Sequence, residues 1–466
     1  MKNFFKTNAG TSLLMAFFCT VILLLITLYH NGGNLHSEST SFFVRYLDGR
    51  ALVNQIFDPV SNDWECYQAR ELSYLFDAVD ARFTAFLIKN RIIWFHSFCS
   101  LLLCGIMVFI QQYWTRKLFP SIPGIVVSFI SLFFVLSGPV SGLDYFRCAK
   151  YLAALGLWGA FFSGYGAFRS GKTPAKVCFY LSLLLMTLSD RQGFYFTAVI
   201  SGTAAAVMFF LSLKNGSLPA LRMRFVTLSA FAVTCFGIIN NLYLTPAVIR
   251  AVNGYDADFS YQRELAVESG HLLQGFYFLF GNMGSWLNHF TGTFSMAAVT
   301  GVLLAAGIAV ELLRQYREKQ RRALYLALLW GCFIVAMFIC SVIMVARLDL
   351  IMESEFFYGV YTITFMVIVL ALLTLTAAGA GAKFCRLLLI ILCISVFLRL
   401  GGALSSDKFI PESTLENGVK LRQHTLNKAL LDPGFDESKH LLPYRMRYFL
   451  EFCREQGLIK TQREKR

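Results

Sequence analysis

Long apolar runs separated by short polar connections organise the whole chain. They fall near 12–29, 92–112, 122–138, 149–168, 176–189, 194–213, 225–244, 293–312, 323–345, 358–380 and 385–400. An α-helix needs roughly 20 apolar residues to cross a bilayer core of about 30 Å. A membrane β-barrel would instead show alternating segments of about ten residues. The pattern predicts an all-α, polytopic integral membrane protein with about eleven transmembrane helices.

The connections fall into two alternating sets. One is short and basic: Lys2/Lys6, Arg116/Lys117, Arg169/Lys172/Lys176, Lys214/Arg222/Arg224, the run from Arg314 to Arg322, and Lys383/Arg386. The other is longer and richer in acids: 30–91, 139–148, 190–193, 245–292, 346–357 and the tail from 401. Positive loops stay in the cytoplasm. The N-terminus is therefore expected inside and the acidic loops on the extracytoplasmic face. Residues 1–400 are expected to form the transmembrane domain and 401–466 a small polar tail on the external face. Lys2 and Lys6 ahead of Leu13–Leu28 resemble a signal peptide. That run exceeds an h-region and lacks a small-residue cleavage site, so it reads as a retained span. Residues 271–290 are apolar but interrupted by Gly275, Gly281, Asn282 and Gly284. They read as an interfacial or re-entrant segment with Trp286 at headgroup depth.

Composition agrees. The 466 residues are 56% hydrophobic and 15% charged, with a mean hydropathy of +0.57. Soluble proteins carry about 25% charged residues. The formal net charge of +14 sits in loop clusters, which makes it an orientation signal and leaves no nucleic-acid-binding strip. The twelve Cys show no CxxC pair and no zinc spacing. Cys19, Cys104, Cys235, Cys340 and Cys393 lie in apolar runs, whereas Cys66, Cys148 and Cys453 fall in segments expected on the external face, where a disulfide among them stays open.

The first external loop, 30–91, holds the densest polar chemistry. After Asp58-Pro59 and the capping residues Ser61-Asn62-Asp63, apolar side chains recur at helical spacing: Leu72, Leu75, Phe76, Val79, Phe83 and Phe86. Arg70, Ser73, Asp77 and Asp80 share the opposite face. This predicts an amphipathic juxtamembrane helix lying at the bilayer surface. Asp63 and Glu65 at its start serve either as a cap and a dipole partner or as acids that deprotonate an acceptor hydroxyl. Asp190-Arg191 in a tight turn read either as a solvated pair or as functional charges at the membrane boundary. Arg347 directly after a span reads either as an interfacial anchor or as a ligand for phosphate at headgroup depth. Asp144, Arg147 and Lys150 form a weaker fourth group. All four groups fall on one side, and the span interiors carry almost no charge. A transporter would bury polar groups near the midplane, so the pattern favours surface chemistry on a lipid-borne substrate.

With these residues the chain resembles the GT-C class of integral membrane glycosyltransferases. The likeness covers the layout of most of the chain. Locally, Asp63-Trp64-Glu65 followed by Ala69-Arg70-Glu71-Leu72-Ser73-Tyr74-Leu75-Phe76-Asp77 resembles the first-loop acidic motif of bacterial members, and Asp190-Arg191-Gln192-Gly193 resembles one of their external turns. The resemblance implies a polyprenyl-phosphate-linked sugar as donor, a glycan or lipid of the cell envelope, such as lipopolysaccharide, as acceptor, and an inverting transfer. It implies Asp63 as catalytic base with Glu65 or Glu71 as helper, and Arg70, Asp190, Arg191 and Arg347 toward the donor phosphate and substrate. A divalent cation (Mg or Mn) bridging Asp63, Glu65 and phosphate is compatible with the chemistry but not required by it. No WWDYG-like segment is present, which argues against protein N-glycosylation. Membrane lipid is an implied partner, and a donor synthase and a flippase are implied functional ones. A glycolipid or small-solute transporter, and an O-antigen polymerase- or ligase-like enzyme, stay open as alternatives.

Overall fold

The computed structural model describes residues 7–29, 43–58, 69–118, 124–137, 148–215, 221–256, 267–284, 294–318, 321–348, 419–432 and 444–459, with 390, 394, 397, 398, 435 and 442. All regular elements among them are helical. In chain order they are α1 (Asn8–Tyr29), α2 (Leu52–Ile56), α3 (Glu71–Lys89), α4 (Phe98–Leu118), α5 (Gly124–Ser137), α6 (Cys148–Ser170), α7 (Thr173–Ser189), α8 (Arg191–Asn215), α9 (Leu221–Ile239), α10 (Thr245–Asn253), α11 (Ser269–Gly284), α12 (Phe294–Arg317), α13 (Arg321–Leu348), α14 (Val419–Leu431) and α15 (Tyr444–Glu455).

Each apolar run that falls on described residues forms a helix. Five stretches among these residues are long and apolar enough to cross a membrane: Asn8–Leu25, Phe98–Lys117, Gly193–Phe210, Arg224–Asn253 and Ser295–Arg317. Thr173–Ser189 and Trp330–Ile343 are shorter apolar helical stretches. The runs 358–380 and 385–400 lie outside the described residues, apart from four scattered positions.

Small residues bring the long helices together, because lipid gives apolar side chains no net reason to leave it and close van der Waals contact must do the work. Gly156 and Gly159 of α6 face Met186 and Ser182 of α7, and a Cβ at either would collide with them. Gly284 of α11 lies against the carbonyl of Ala297 in α12, and Gly301 of α12 against the carbonyl of Phe280. The two contacts run in opposite sequence directions, so α11 and α12 are antiparallel. On α11's other side Gly275 meets Val342 of α13, and Phe276 stacks on Phe338 with ring centroids 4.1 Å apart. The segment expected as interfacial or re-entrant therefore packs along two apolar helices. Its 16 residues reach about 24 Å at 1.5 Å each, short of a full bilayer core. Trp286 lies outside the described residues.

The helix from Leu221 to Asn253 runs through a π-helical turn, Asn240–Leu244, placed just before Pro246. Proline offers no N–H to the ladder, and a widened turn is one way a helix accommodates that loss. Asn241 Nδ2 donates to the Gly237 carbonyl at 2.7 Å within the same stretch. At 1.5 Å per residue this helix is about 50 Å long, longer than a bilayer core of about 30 Å, and its far end is Asn253.

That far end joins a second apolar core, separate from the one inside the bundle. Ile249 of α10 packs with Phe43, Tyr46, Tyr74, Ala78, Ala81, Ala85, Ile88 and Phe95 of the first loop, and with Leu426, Leu430, Phe449, Leu450 and Cys453 of α14 and α15. Asn54 Nδ2 donates to the Val252 carbonyl at 3.0 Å, and Asp58 accepts from both Tyr255 and Arg50. Cys148 and Cys453 are buried free thiols and Cys66 lies outside the described residues. No Cys148–Cys453 disulfide is formed.

Helix α3 lies between the two cores. Leu72, Phe76 and Leu87 pack on the bundle core, while its small residues and Tyr74 enter the second one. It ends in a Schellman motif: Ile92 N donates to Leu87 O at 2.9 Å and Arg91 N to Ile88 O at 2.8 Å. Arg91 takes the left-handed conformation, φ 61°, which glycine normally supplies there and which costs other residues about 1–2 kcal/mol.

These contacts predict opposite outcomes at two helical glycines. Gly301→Ala would force α11 and α12 apart and should lower the unfolding temperature in detergent. Gly331→Ala in α13 meets open space and should leave it unchanged or slightly higher. Equal effects would refute the role given to the α11–α12 contact.

Candidate functional site

The periodicity of α3 separates its faces correctly, but water does not receive the polar one. Ser73, Asp77, Asp80 and Thr84 are all buried, whereas Val79 and Phe86 are 47% and 60% exposed. The helix turns its charged face into the protein and leaves part of its apolar face open. Burying charge in this way requires partners, and the two halves of the face find different ones.

The C-terminal half is a capping site. Asp80 accepts from the backbone N–H of Cys99 at 2.9 Å and from the Ser97 hydroxyl, and the Cys148 thiol lies at 3.5 Å. Ser97 Oγ in turn accepts from Ser100 N at 2.9 Å. Asp80 and Ser97 together satisfy the open N–H groups at the start of α4. Burial raises the Asp80 carboxyl above its ordinary value of 3.8; the bonds from Ser97, Cys99 and Cys148 oppose this without cancelling it.

The N-terminal half gathers charge from separate elements. Arg70 caps α3, and its guanidinium lies 5.1 Å from the centre of the Tyr74 ring. Burial works against its charge, but Tyr74, Asp190 and Asp77 outweigh that, so Arg70 is held more firmly protonated than an ordinary arginine. Its Nε is sealed from solvent and finds no hydrogen-bond acceptor among the described residues. The same holds for the hydroxyl of Ser73. Tyr46 approaches the group from the second core. Burial first, and then the charge of Asp77, push its phenol well above the usual range. Glu71 Oε1 accepts from the Thr245 hydroxyl at 2.6 Å, which ties the start of α3 to the start of α10.

Asp190 reaches this cluster because the α7–α8 turn is unusually tight. It is the C-cap of α7, is 3% exposed, and its carbonyl accepts from Phe194 N at 3.1 Å. Gly193 sits directly on the carbonyl of Met186, where a side chain would not fit. Arg191, the first residue of α8, is half-buried.

Of the residues singled out in the sequence, Arg70, Asp190 and Glu71 are thus brought to one end of α3. Arg347 lies near the end of α13, with its side chain outside the description. Asp63, Glu65, Asp144 and Arg147 fall outside the described residues. Tyr46, Tyr74 and Asp77 join the site without having been nominated. Asp77 was visible on the polar face, but nothing in the sequence marked the tyrosines, since Tyr74 sits among the apolar and small positions. No three His, Cys, Asp or Glu side chains gather as metal ligands among the described residues.

Comparisons with protein-family models, with curated proteins and with solved structures found no match to this chain.

Asp80 gives a pH prediction. Its folded carboxyl holds the proton more tightly than the unfolded chain does. Its contribution to stability is therefore full below pH 3.8 and is lost as pH rises through the raised value. Asp80→Asn, unfolded in detergent across the acidic range, should show a shallower decline with rising pH than the parent. Asp80→Ala removes the acceptor for Cys99 N and Ser97 and should cost about 1–3 kcal/mol at any pH. Identical pH profiles for parent and Asp80→Asn would remove Asp80 as the titrating group.

Proposed function

We propose that this chain is a GT-C-type membrane glycosyltransferase that moves a sugar from a polyprenyl-phosphate donor to an envelope glycan or lipid. In this reading about eleven spans hold the site on the periplasmic face, with the N-terminus in the cytoplasm. The observation that carries the proposal is the inward-turned start of α3. A buried, firmly protonated Arg70 sits there beside Asp77 and Asp190, with donors left open at Arg70 Nε and Ser73 Oγ.

Such an arrangement suits a leaving phosphate. The acceptor hydroxyl attacks the anomeric carbon, a new C–O bond forms there, and the bond from that carbon to the phosphate oxygen breaks. The electron pair leaves with the lipid phosphate. The hydroxyl proton passes to a carboxylate, Asp63 in this reading, with Glu65 or Glu71 beside it. Arg70 Nε–H and the Ser73 hydroxyl would take phosphate oxygens as negative charge develops, a role fixed donors in a low-dielectric site perform well. Asp190 and Asp77 keep the guanidinium in place, and Arg191 and Arg347 supply further positive charge around the donor. No step requires a nucleotide, and a divalent cation at Asp63 and Glu65 would add phosphate neutralisation only.

Mass spectrometry of envelope glycans and glycolipids tests the reading in cells with the intact protein, without it, and with Asp63→Ala or Arg70→Lys at matched expression. Deletion should leave a product one sugar lighter. Asp63→Ala should cut transfer by about 10²–10⁴-fold, the usual weight of a general base. Arg70→Lys keeps the charge that Asp77 and Asp190 require but loses the planar fork, so the folded protein should transfer more slowly. An unchanged product in the deletion strain would end the glycosyltransferase reading. Loss on deletion with full activity in Asp63→Ala would point to transport or assembly.

A further inference from the structure

The exit from α3 combines three features that its packing does not explain. Arg91 holds the left-handed C′ position with φ 61°, although its side chain is exposed and the Schellman motif needs only backbone groups. Glycine would serve the turn with less strain. Strain kept where the fold does not need it points to a use for the side chain. Large apolar side chains surround the same corner: Phe86 is 60% exposed, Ile92 51% and Phe98 40%. Phe98 is the first residue of the apolar α4 and meets Phe83 of α3 with ring centroids 4.7 Å apart, and one turn further along α4 Leu102 is 50% exposed. Three exposed cations, Arg82, Lys89 and Arg91, border this corner. Arg82 already donates to Gln55 Oε1 at 3.0 Å, which leaves Lys89 and Arg91 to act outward.

We propose that the end of α3 is a contact site for anionic bilayer lipid, in which Arg91 and Lys89 take the headgroup phosphate while Phe86, Ile92 and Phe98 enter the acyl region. The occupant follows from Phe98, which opens a helix long and apolar enough to cross a membrane, and from the sign of the rim. An apolar surface bordered by cations fits a lipid phosphate above acyl chains; a soluble acidic partner would leave the apolar side chains in water. The site does not depend on the glycosyltransferase reading, because it lies on the opposite side of α3 from Arg70 and Asp77.

Unfolding in neutral detergent, with and without phosphatidylglycerol or phosphatidylcholine of matched chains, tests it on the full chain. Native mass spectrometry counts retained lipid in parallel. In the parent protein phosphatidylglycerol should raise Tm more than phosphatidylcholine. Arg91→Gly relieves the backbone and removes the cation. Without lipid it should unfold at a higher temperature than the parent, yet lose at least half of the phosphatidylglycerol-specific gain and hold fewer anionic lipids. Arg91→Lys should keep most of the gain. Equal stabilisation of the parent by both lipids, or an undiminished gain in Arg91→Gly, overturns the proposal. An Arg91→Gly protein less stable without lipid overturns the claim that the arginine is retained against strain.

Discussion

Burial of the charged face of α3 is the constraint that the rest of the molecule serves. A helix carrying Arg70, Asp77 and Asp80 on one side would ordinarily turn that side to water. Here each charge has been given a protein environment instead. Asp80 is absorbed by the open N–H groups at the start of α4. Arg70 is offset by acids from its own helix and from the α7–α8 turn. Buried charges offset in this way add little net stability, because desolvation cancels most of the attraction. Removing one partner, however, leaves a charge stranded at a cost of several kcal/mol. The cluster therefore specifies where α3 must lie more than it strengthens the fold.

Three other features follow from that placement. The face of α3 turned away from the bundle is made of Ala78, Ala81 and Ala85, with Tyr74 and Ile88 at its ends. Small side chains let the second core approach closely, so the first loop, the end of α10 and the C-terminal helices share one apolar centre. The Glu71–Thr245 and Asn54–Val252 bonds clip the same segments at their edges. The long α9–α10 helix then links the bundle to that centre through its π-helical turn.

Much of this architecture is legible in the sequence, and the part that is not has physical reasons. Apolar runs mark helices because a spanning segment must satisfy its backbone internally, and the run near 149–168 meets α6 within two residues at each end. Periodicity also sorted the faces of α3. It could not say which face would be buried, since that depends on a partner many residues away: Asp80 is taken up by Ser97 and Cys99, and Arg70 by Asp190. The glycines that interrupt 271–290 read as breaks, but Gly275 and Gly284 are contact points for α13 and α12. An interruption in hydropathy and a close-packing notch look the same until the neighbouring helix is known. The docking of the C-terminal tail was not legible, because Leu426, Phe449 and Cys453 gain meaning only beside Phe43 and Ile249.

Buried polar groups elsewhere in the bundle show why the start of α3 is the better place to look for chemistry. Near the end of α12, Glu311 accepts from Arg314 Nη2 at 2.7 Å, from Arg314 Nε at 3.0 Å and from Gln315 at 3.0 Å, all within its own helix. Near the end of α4, Gln112 donates to the Val127 carbonyl at 2.9 Å and to Ser131 at 2.7 Å, while Arg116 donates to its oxygen at 3.0 Å. Both groups turn their hydrogen bonds inward on nearby protein partners, which is how a structural network should look. The start of α3 differs in its charge. It holds a protonated guanidinium with a sealed, open donor, a buried serine hydroxyl in the same state, and acids drawn from two elements, whereas the sealed donors of the bundle, Trp158 Nε1 and Ser341 Oγ, stand on neutral side chains. Leaving a buried donor unmatched costs about 1–3 kcal/mol, a cost that a permanent structural network avoids and that a site built to receive an anion recovers when its ligand binds.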